Sequence, residues 1–257
     1  MCRHAAYIGQ SVSLDRFLLE PAHGLVVQAY RPREMLTAEI NADGFGFGWY
    51  LADGTPGCYT NPMPIWSDSN LVHIGRALTS RLWLGNVRSA TPGQPINQAN
   101  THPFCAGGML FSHNGFLHDY ARGLRHRMRR ALPPEIDAEI RGGTDSEHLF
   151  GLLRGHLAST DGSIETALRA LFAQMQAWLE GSHGLFNFII ADGRRVYATR
   201  HAIGHAAPSL YLGRDWERIG EGWLVASEPM TESDWQPVPE GHLVVLEADR
   251  DPVITPL

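Results

Sequence analysis

Strands, then two consecutive helices, then strands again predict an α+β protein in which helices pack on antiparallel sheets. Three observations carry that reading. Residues 43–51 (DGFGFGWYL) alternate with period two; residues 145–157 and 164–179 each carry an apolar stripe at helical spacing; and residues 185–191 and 196–200 are strand-like runs meeting at Asp192-Gly193, a hairpin pair.

Along the chain, residues 3–9 (RHAAYIG) read as a short strand that carries the N-terminus into the core. Residues 43–51 set Gly44, Gly46 and Gly48 on one face and Phe45, Phe47 and Trp49 on the other, so one face packs and the other lets something approach closely. As GxGxG with no helix after it, the run is a poor dinucleotide fingerprint. The spacing of Leu71, Ile74 and Leu78 predicts a helix over 68–79 with Asp68 as its cap, followed by a strand over 81–87. A long loop, 88–103, is rich in Thr, Pro, Gly, Asn and Gln; residues 108–112 return as a strand that ends in a turn at His113-Asn114-Gly115. Beyond the two helices and the hairpin, strands are expected near Leu210, 223–226 and 242–247.

The chain has 257 residues with 44% hydrophobic and 19% charged positions, enough for one large core, and no composition break argues for two domains. A formal charge of -6, from 21 basic and 27 acidic residues, speaks against nucleic acid as a partner. The one basic run, 122–130 (RGLRHRMRR), lies on an expected helix and reads as a solvated face. Three cysteines, no apolar leader and no uninterrupted apolar run of ~18 residues lead to the expectation of a cytoplasmic protein with no membrane partner. No metal and no cofactor are expected: HExxH and CxxC spacings are missing, and Gly204 and Pro208 argue against a helix that would pair His201 with His205.

Chemistry enters at the first residues, Met1-Cys2-Arg3-His4. Removal of Met1 would leave a thiol and a free α-amine on one residue, and an amine titrating near pH ~8 can accept the thiol proton directly or through a water. Four segments accompany Cys2: NVRSAT (86–91), NTHPF (100–104), SHNG (112–115) and GTDSE (143–147). In this order and spacing the chain resembles the glutaminase domain of class II glutamine amidotransferases. With MCRH at the start, NADGFGFGWY (41–50), QANTHPF (98–104) and ASEPM (226–230), it looks like the stand-alone γ-glutamyl amidohydrolases of ergothioneine biosynthesis.

The resemblance implies the four-layer αββα sandwich of N-terminal nucleophile hydrolases, a single domain over 2–257 once Met1 is removed, and hydrolysis of a γ-glutamyl amide. It assigns Cys2 as nucleophile and Asn114 with the Gly115 backbone N–H as the oxyanion donors. Arg88 matches the position that binds the substrate α-carboxylate, where a planar guanidinium donates two parallel hydrogen bonds. Asp145 matches the acceptor for the α-ammonium, with helix capping as its plain alternative. Thr91 and His102 match positions lining the same pocket, His102 as a substrate contact or as an orienter of its loop. Ser89 stands where synthase-linked members carry a bulky aromatic, and 257 residues leave no space for a synthase domain, so water is the expected acceptor. The implied partner is a small γ-glutamyl compound, in first place γ-glutamyl-hercynylcysteine sulfoxide. The alternatives are a general glutaminase, a glutathione-related amidase, the glutaminase subunit of a separate synthase, or a binding domain without catalysis. Oligomeric state has no reading in the sequence.

Overall fold

Strands buried at nearly every position, as β-strand runs 3–9, 82–87, 109–114 and 187–191 are, need cover on both faces, and this chain meets that need by stacking two sheets and laying helices on the outside. The computed structural model describes residues 1–35, 39–160 and 162–257. In chain order it runs β1 (Arg3–Ser13), α1 (Leu14–Leu18), α2 (Leu25–Tyr30), β2 (Phe45–Tyr50), β3 (Pro56–Asn61), α3 (Leu71–Ala77), β4 (Thr79–Val87), β5 (Phe104–Ala106) and β6 (Met109–Asn114). Then come α4 (Leu124–Ala131), α5 (Pro134–Asp137), α6 (Asp145–Ser159) and α7 (Ile164–Trp178). The last third holds β7 (Gly184–Leu185), β8 (Asn187–Ala191), β9 (Arg195–Arg200), β10 (Ala202–Ile203), β11 (Tyr211–Gly213), β12 (Gly222–Ala226), β13 (Trp235–Pro237), β14 (His242–Glu247) and β15 (Val253–Pro256).

Seven strands pair in the order β13-β11-β12-β1-β4-β2-β3 and six in the order β15-β14-β9-β8-β6-β5, with β10 and β7 a separate pair. The period-two alternation assigns each strand residue to a layer. Along β1, Ala5 and Tyr7 pack with Phe17, Leu25 and Leu71 of α1 to α3, while Ala6 and Ile8 turn to the other sheet. Along β8, Phe188 and Ile190 pack with Leu149 and Leu168 of α6 and α7, while Ile189 and Ala191 face inward. The result is the four-layer αββα sandwich that the motifs implied. The basic helix α4 buries Met128 completely and leaves Arg125, Arg127, Arg129 and Arg130 exposed. One buried methionine contributes about 1.5–3 kcal/mol, so docking of this helix rests on its apolar side and not on its charges.

The glycine face of β2 is where the second sheet comes in. A Cβ on Gly46 would lie 2.4 Å from the His102 carbonyl oxygen, and one on Gly48 would lie 2.7 Å from the Leu110 side chain. Glycine is required here for close approach, as its pattern predicts.

Three local expectations need correction. The helix expected over 68–79 is only Leu71–Ala77, and Thr79 already belongs to β4. Asn70, not Asp68, sits at its N-cap; the Asp68 carboxylate instead accepts from the Tyr59 hydroxyl, from Asn61 Nδ2 at 3.3 Å and from the Asn70 N–H at 3.0 Å. The turn expected at His113-Asn114-Gly115 is strand through Asn114, because the β8 pairing continues to Asn114↔Asn187. Among the described residues no helix is long and apolar enough to cross a membrane.

Candidate active site

Cys2 is placed by the strand that follows it. β1 lies between β4 and β12, with Arg3 opposite Val87 and His4 opposite Asn86, so the N-terminus is fastened on both sides within a few residues of its end. Met1 and Cys2 are both buried, and the Cys2 thiol faces the Ser89 carbonyl oxygen at 3.9 Å. Burial lowers the pKa of the terminal α-amine, here on Met1, with Asp43 opposing the shift from nearby.

The end of β4 delivers Arg88. Its N–H donates to the Gly44 carbonyl at 2.7 Å, its own carbonyl accepts from the Asp43 N–H at 2.9 Å, and Nη1 donates to the Asp43 carbonyl at 3.3 Å. The residue is 2% exposed, and Nη2 is buried with no hydrogen-bond partner among the described residues. Burial lowers the Arg88 pKa, while Cys2, Asp43 and Asp145 act on it as neighbouring acidic groups. A buried guanidinium with a spare N–H pair has the geometry to pair with a planar anion such as a carboxylate.

From the other sheet come Asn114 and Gly115. Asn114 is fully buried; among the described residues Nδ2 makes only a long 3.5 Å contact to Ser227 Oγ, and Oδ1 has no partner. That leaves the amide free to donate where negative charge develops. A Cβ on Gly115 would sit 2.1 Å from the Leu185 carbonyl oxygen and 2.4 Å from His113 Nε2, so glycine is the residue this position admits. Ser227 joins the two halves: its Oγ accepts from the His4 N–H at 3.0 Å and its N–H donates to the His4 carbonyl at 2.9 Å.

Asp145 opens α6, but the cap is Thr144, whose hydroxyl accepts from the Glu147 N–H. Asp145 is 3% exposed; Oδ2 accepts from the Leu117 N–H at 2.8 Å, and Oδ1 from the Ser146 N–H at 2.9 Å and Gln94 Nε2 at 3.4 Å. Arg88 thus has Cys2, Asp43 and Asp145 as its electrostatic neighbours, while Asn114 is joined through Ser227 to His4, two residues after Cys2. Thr91 is the outlier. It is exposed, on a turn in which its carbonyl accepts from the Gln94 N–H.

His102 is buried, both ring nitrogens lack a hydrogen-bond partner among the described residues, and its ring stands edge-on to Phe104 at 4.7 Å. The loop around it is held by other residues. Asn97 Oδ1 accepts from the Asn100 N–H, Asn100 Nδ2 donates to the Pro95 carbonyl, Asn100 Oδ1 accepts from the Gly143 N–H, and the Thr101 hydroxyl donates to the Asn97 carbonyl. Burial lowers the pKa of His102 and of its neighbours His4 and His113, which disfavours the charged form of each ring.

Sequence reasoning missed two residues. Asp43, inside NADGFGFGWY, accepts from the Ala90 N–H at 2.8 Å and ties the Arg88 loop to β2. Glu228, inside ASEPM, is fully buried and binds His23 Nε2 at 2.7 Å, the Arg33 and Glu34 N–H groups at 2.9 and 3.0 Å, and Arg3 Nη1 at 3.6 Å. Burial would raise its pKa, but these partners hold it below the ordinary value. Each lay within a quoted motif; a motif names the stretch without saying which side chain turns inward.

The model of the family described as class-II glutamine amidotransferases matches residues 22–254, a span that begins beyond Cys2. The chain is 32% identical over 259 residues to a γ-glutamyl-hercynylcysteine sulfoxide hydrolase from Mycolicibacterium smegmatis, covering 100% of both. A protein of the same name from Mycobacterium tuberculosis is 34% identical over 246 residues, covering 95% of this chain and 92% of that one. Among solved structures, a glutamine aminotransferase class-II domain protein from Silicibacter pomeroyi superposes with a TM-score of 0.74 at 26% identity, covering 100% of this chain and 99% of the other.

Proposed function

The chain belongs to the class II glutamine amidotransferases, and on that premise we propose that it hydrolyses the γ-glutamyl amide of γ-glutamyl-hercynylcysteine sulfoxide to glutamate and hercynylcysteine sulfoxide. The observation that carries this reading is the end-to-end similarity to relatives bearing that name. The site supplies a mechanism for it.

In this reading Met1 is removed and the buried α-amine passes to Cys2. With Met1 attached, the Cys2 nitrogen is an amide and cannot serve as a base. The desolvation that lowers the terminal amine here would also keep a Cys2 amine available as free base near neutral pH. Arg88 takes the α-carboxylate on its spare N–H pair and Asp145 takes the α-ammonium, which sets the γ-carbonyl over the thiol. Attack moves negative charge to the carbonyl oxygen, where Asn114 Nδ2 and the Gly115 N–H receive it. Collapse breaks the C–N bond, and the ammonium formed on Cys2 gives its proton to the departing nitrogen. Water then attacks the thioester, glutamate leaves, and the thiol is restored.

The test is glutamate release from the sulfoxide, glutathione and glutamine at equal concentration, with the N-terminus established by intact mass and Cys2→Ala as control. The reading expects a strong preference for the sulfoxide, lost by roughly 10⁴-fold in the control. A preference for glutamine or for glutathione would replace the substrate and keep the mechanism. Full activity with Met1 retained would remove the Cys2 amine as the base, and full activity of Cys2→Ala would remove the thiol as the nucleophile.

A further inference from the structure

The sequence holds three cysteines, and setting Cys2 aside leaves Cys58 and Cys105. Both are free and lie on exposed residues. Cys58 sits on β3, the edge of the seven-stranded sheet, and Cys105 on β5, the edge of the six-stranded sheet. Register brings them face to face. Cys58 is paired with Gly48 and Cys105 with Leu110, and directly opposed residues of antiparallel strands project to the same face. The 2.7 Å approach of a Gly48 Cβ to Leu110 shows that this shared face, in both sheets, is the seam between them. The two cysteines therefore stand one strand further out than that contact, at one level, each directed at the opposite sheet.

Other observations agree. The Cys58 thiol donates to the Pro103 carbonyl oxygen at 3.2 Å, two residues before Cys105. Both cysteines line a cavity of about 790 Å³ at the open edge of the seam, with Pro103 and Phe104 beside them. Cα atoms of β3 and β5 come within 8 Å of one another, so the two edge strands lie side by side; a disulfide needs ~4.4–6.8 Å between the Cα atoms it joins.

We propose that Cys58 and Cys105 form a dithiol site that reacts with a low-molecular-weight disulfide, with oxidised glutathione as the probe, and closes into an internal disulfide across the seam. One protein thiolate attacks the glutathione disulfide, breaking its S–S bond and expelling one glutathione thiolate. The second protein thiolate then attacks the mixed disulfide, forming the Cys58–Cys105 bond and expelling the second glutathione. Two cysteines are oxidised, one glutathione disulfide is reduced to two thiols, and the two cysteine protons end on glutathione. The bond replaces the Cys58–Pro103 hydrogen bond and clamps the two edge strands next to His102. Although both residues are exposed overall, the Cys58 sulfur is part-buried against Pro103, and desolvation pushes its thiol up to about 12 and raises Cys105 as well, so the thiolate fraction is small at neutral pH and the exchange is best followed at mildly alkaline pH.

The experiment incubates the native protein with oxidised glutathione, alkylates the remaining thiols, and maps the digest by mass spectrometry. The expected product is a peptide pair joined through Cys58 and Cys105 in most molecules, reversed by dithiothreitol and missing from both Cys58→Ser and Cys105→Ser. Closing a loop of roughly 50 residues without distortion should raise the thermal midpoint by on the order of 5–10 °C. Two separately glutathionylated or fully alkylated cysteines would overturn the proposal. So would an oxidised form less stable than the reduced one, because the thiols would then not be set for the bond.

Discussion

The seven-stranded sheet reaches the site with charges, and the six-stranded sheet reaches it mainly with neutral hydrogen bonds. On the first side the Arg3–Glu228 pair is fully buried beside Cys2, and Asp43 braces Arg88. On the second, His113 sits between Ser146 Oγ at 2.9 Å and the Leu185 carbonyl at 2.7 Å, and among the described residues the Asn114 side chain hydrogen-bonds only to Ser227. Removing one member of a buried ion pair strands its partner, so damage on the first side should appear as lost stability. Removing a neutral donor with a slack bond should appear as lost rate.

The sharpest probe of the first half is Glu228→Gln, which leaves the Arg3 guanidinium buried without its counter-charge. We expect a loss of about 3 kcal/mol, or roughly 6–12 °C in thermal midpoint. Differential scanning calorimetry decides it; a midpoint within ~2 °C of the parent would erase the distinction between the two sides. Asn114→Ala should show the opposite pattern. Steady-state glutamate release should fall by ~100- to 1000-fold in kcat, with the melting temperature nearly unchanged because only a 3.5 Å contact is lost.

The histidines bridge both regions and respond to pH. Their folded pKa values are depressed by burial, so the unfolded chain binds more protons once pH falls below the ordinary histidine value of ~6.5. Their contribution to stability is complete above that value and is lost as pH falls from it toward the depressed folded values. His148 and His201 act in the same sense. Unfolding free energy should therefore drop by more than ~1.4 kcal/mol per pH unit below pH ~6, and His102→Gln should flatten that slope by about one proton. An unchanged slope in the variant would mean that His102 takes up its proton without unfolding the loop. The smallest effect belongs to Thr91→Ala. An exposed rim hydroxyl is worth one neutral hydrogen bond, so kcat/KM should fall only about two- to tenfold, and a larger fall would place Thr91 inside the closed pocket.

Long periodic elements were legible because layer burial writes itself into the residue pattern: the alternation in β2, the stripes of α6 and α7, and the hairpin at Asp192-Gly193 all stand in the structure. Helices α1 and α2, of five and six residues, are too short to show a period, and their stability comes from packing on β1 and β4. The site residues were legible one by one as motif members. What could not be read were contacts between motifs far apart in sequence, such as Ser227 with His4 and Glu228 with Arg3, because these depend on how β12 and the turn after it lie against β1. The facing of Cys58 and Cys105 is hidden for the same reason, since it follows from strand pairing within each sheet and from how the two sheets stack.

A chain end is ordinarily the first part of a protein to fray, and here it lies between two strands in the interior of the larger sheet. The usual order of local opening is thereby inverted. Amides of Ala5, Ala6 and Tyr7 should exchange with deuterium only by opening the sheet itself, while the surface turn near Gly93 exchanges early. Any residue added before Met1 would have to leave through the packing that buries Met1 and Cys2. For the laboratory, affinity tags belong at the C-terminus, where Leu257 lies half-buried after the edge strand β15.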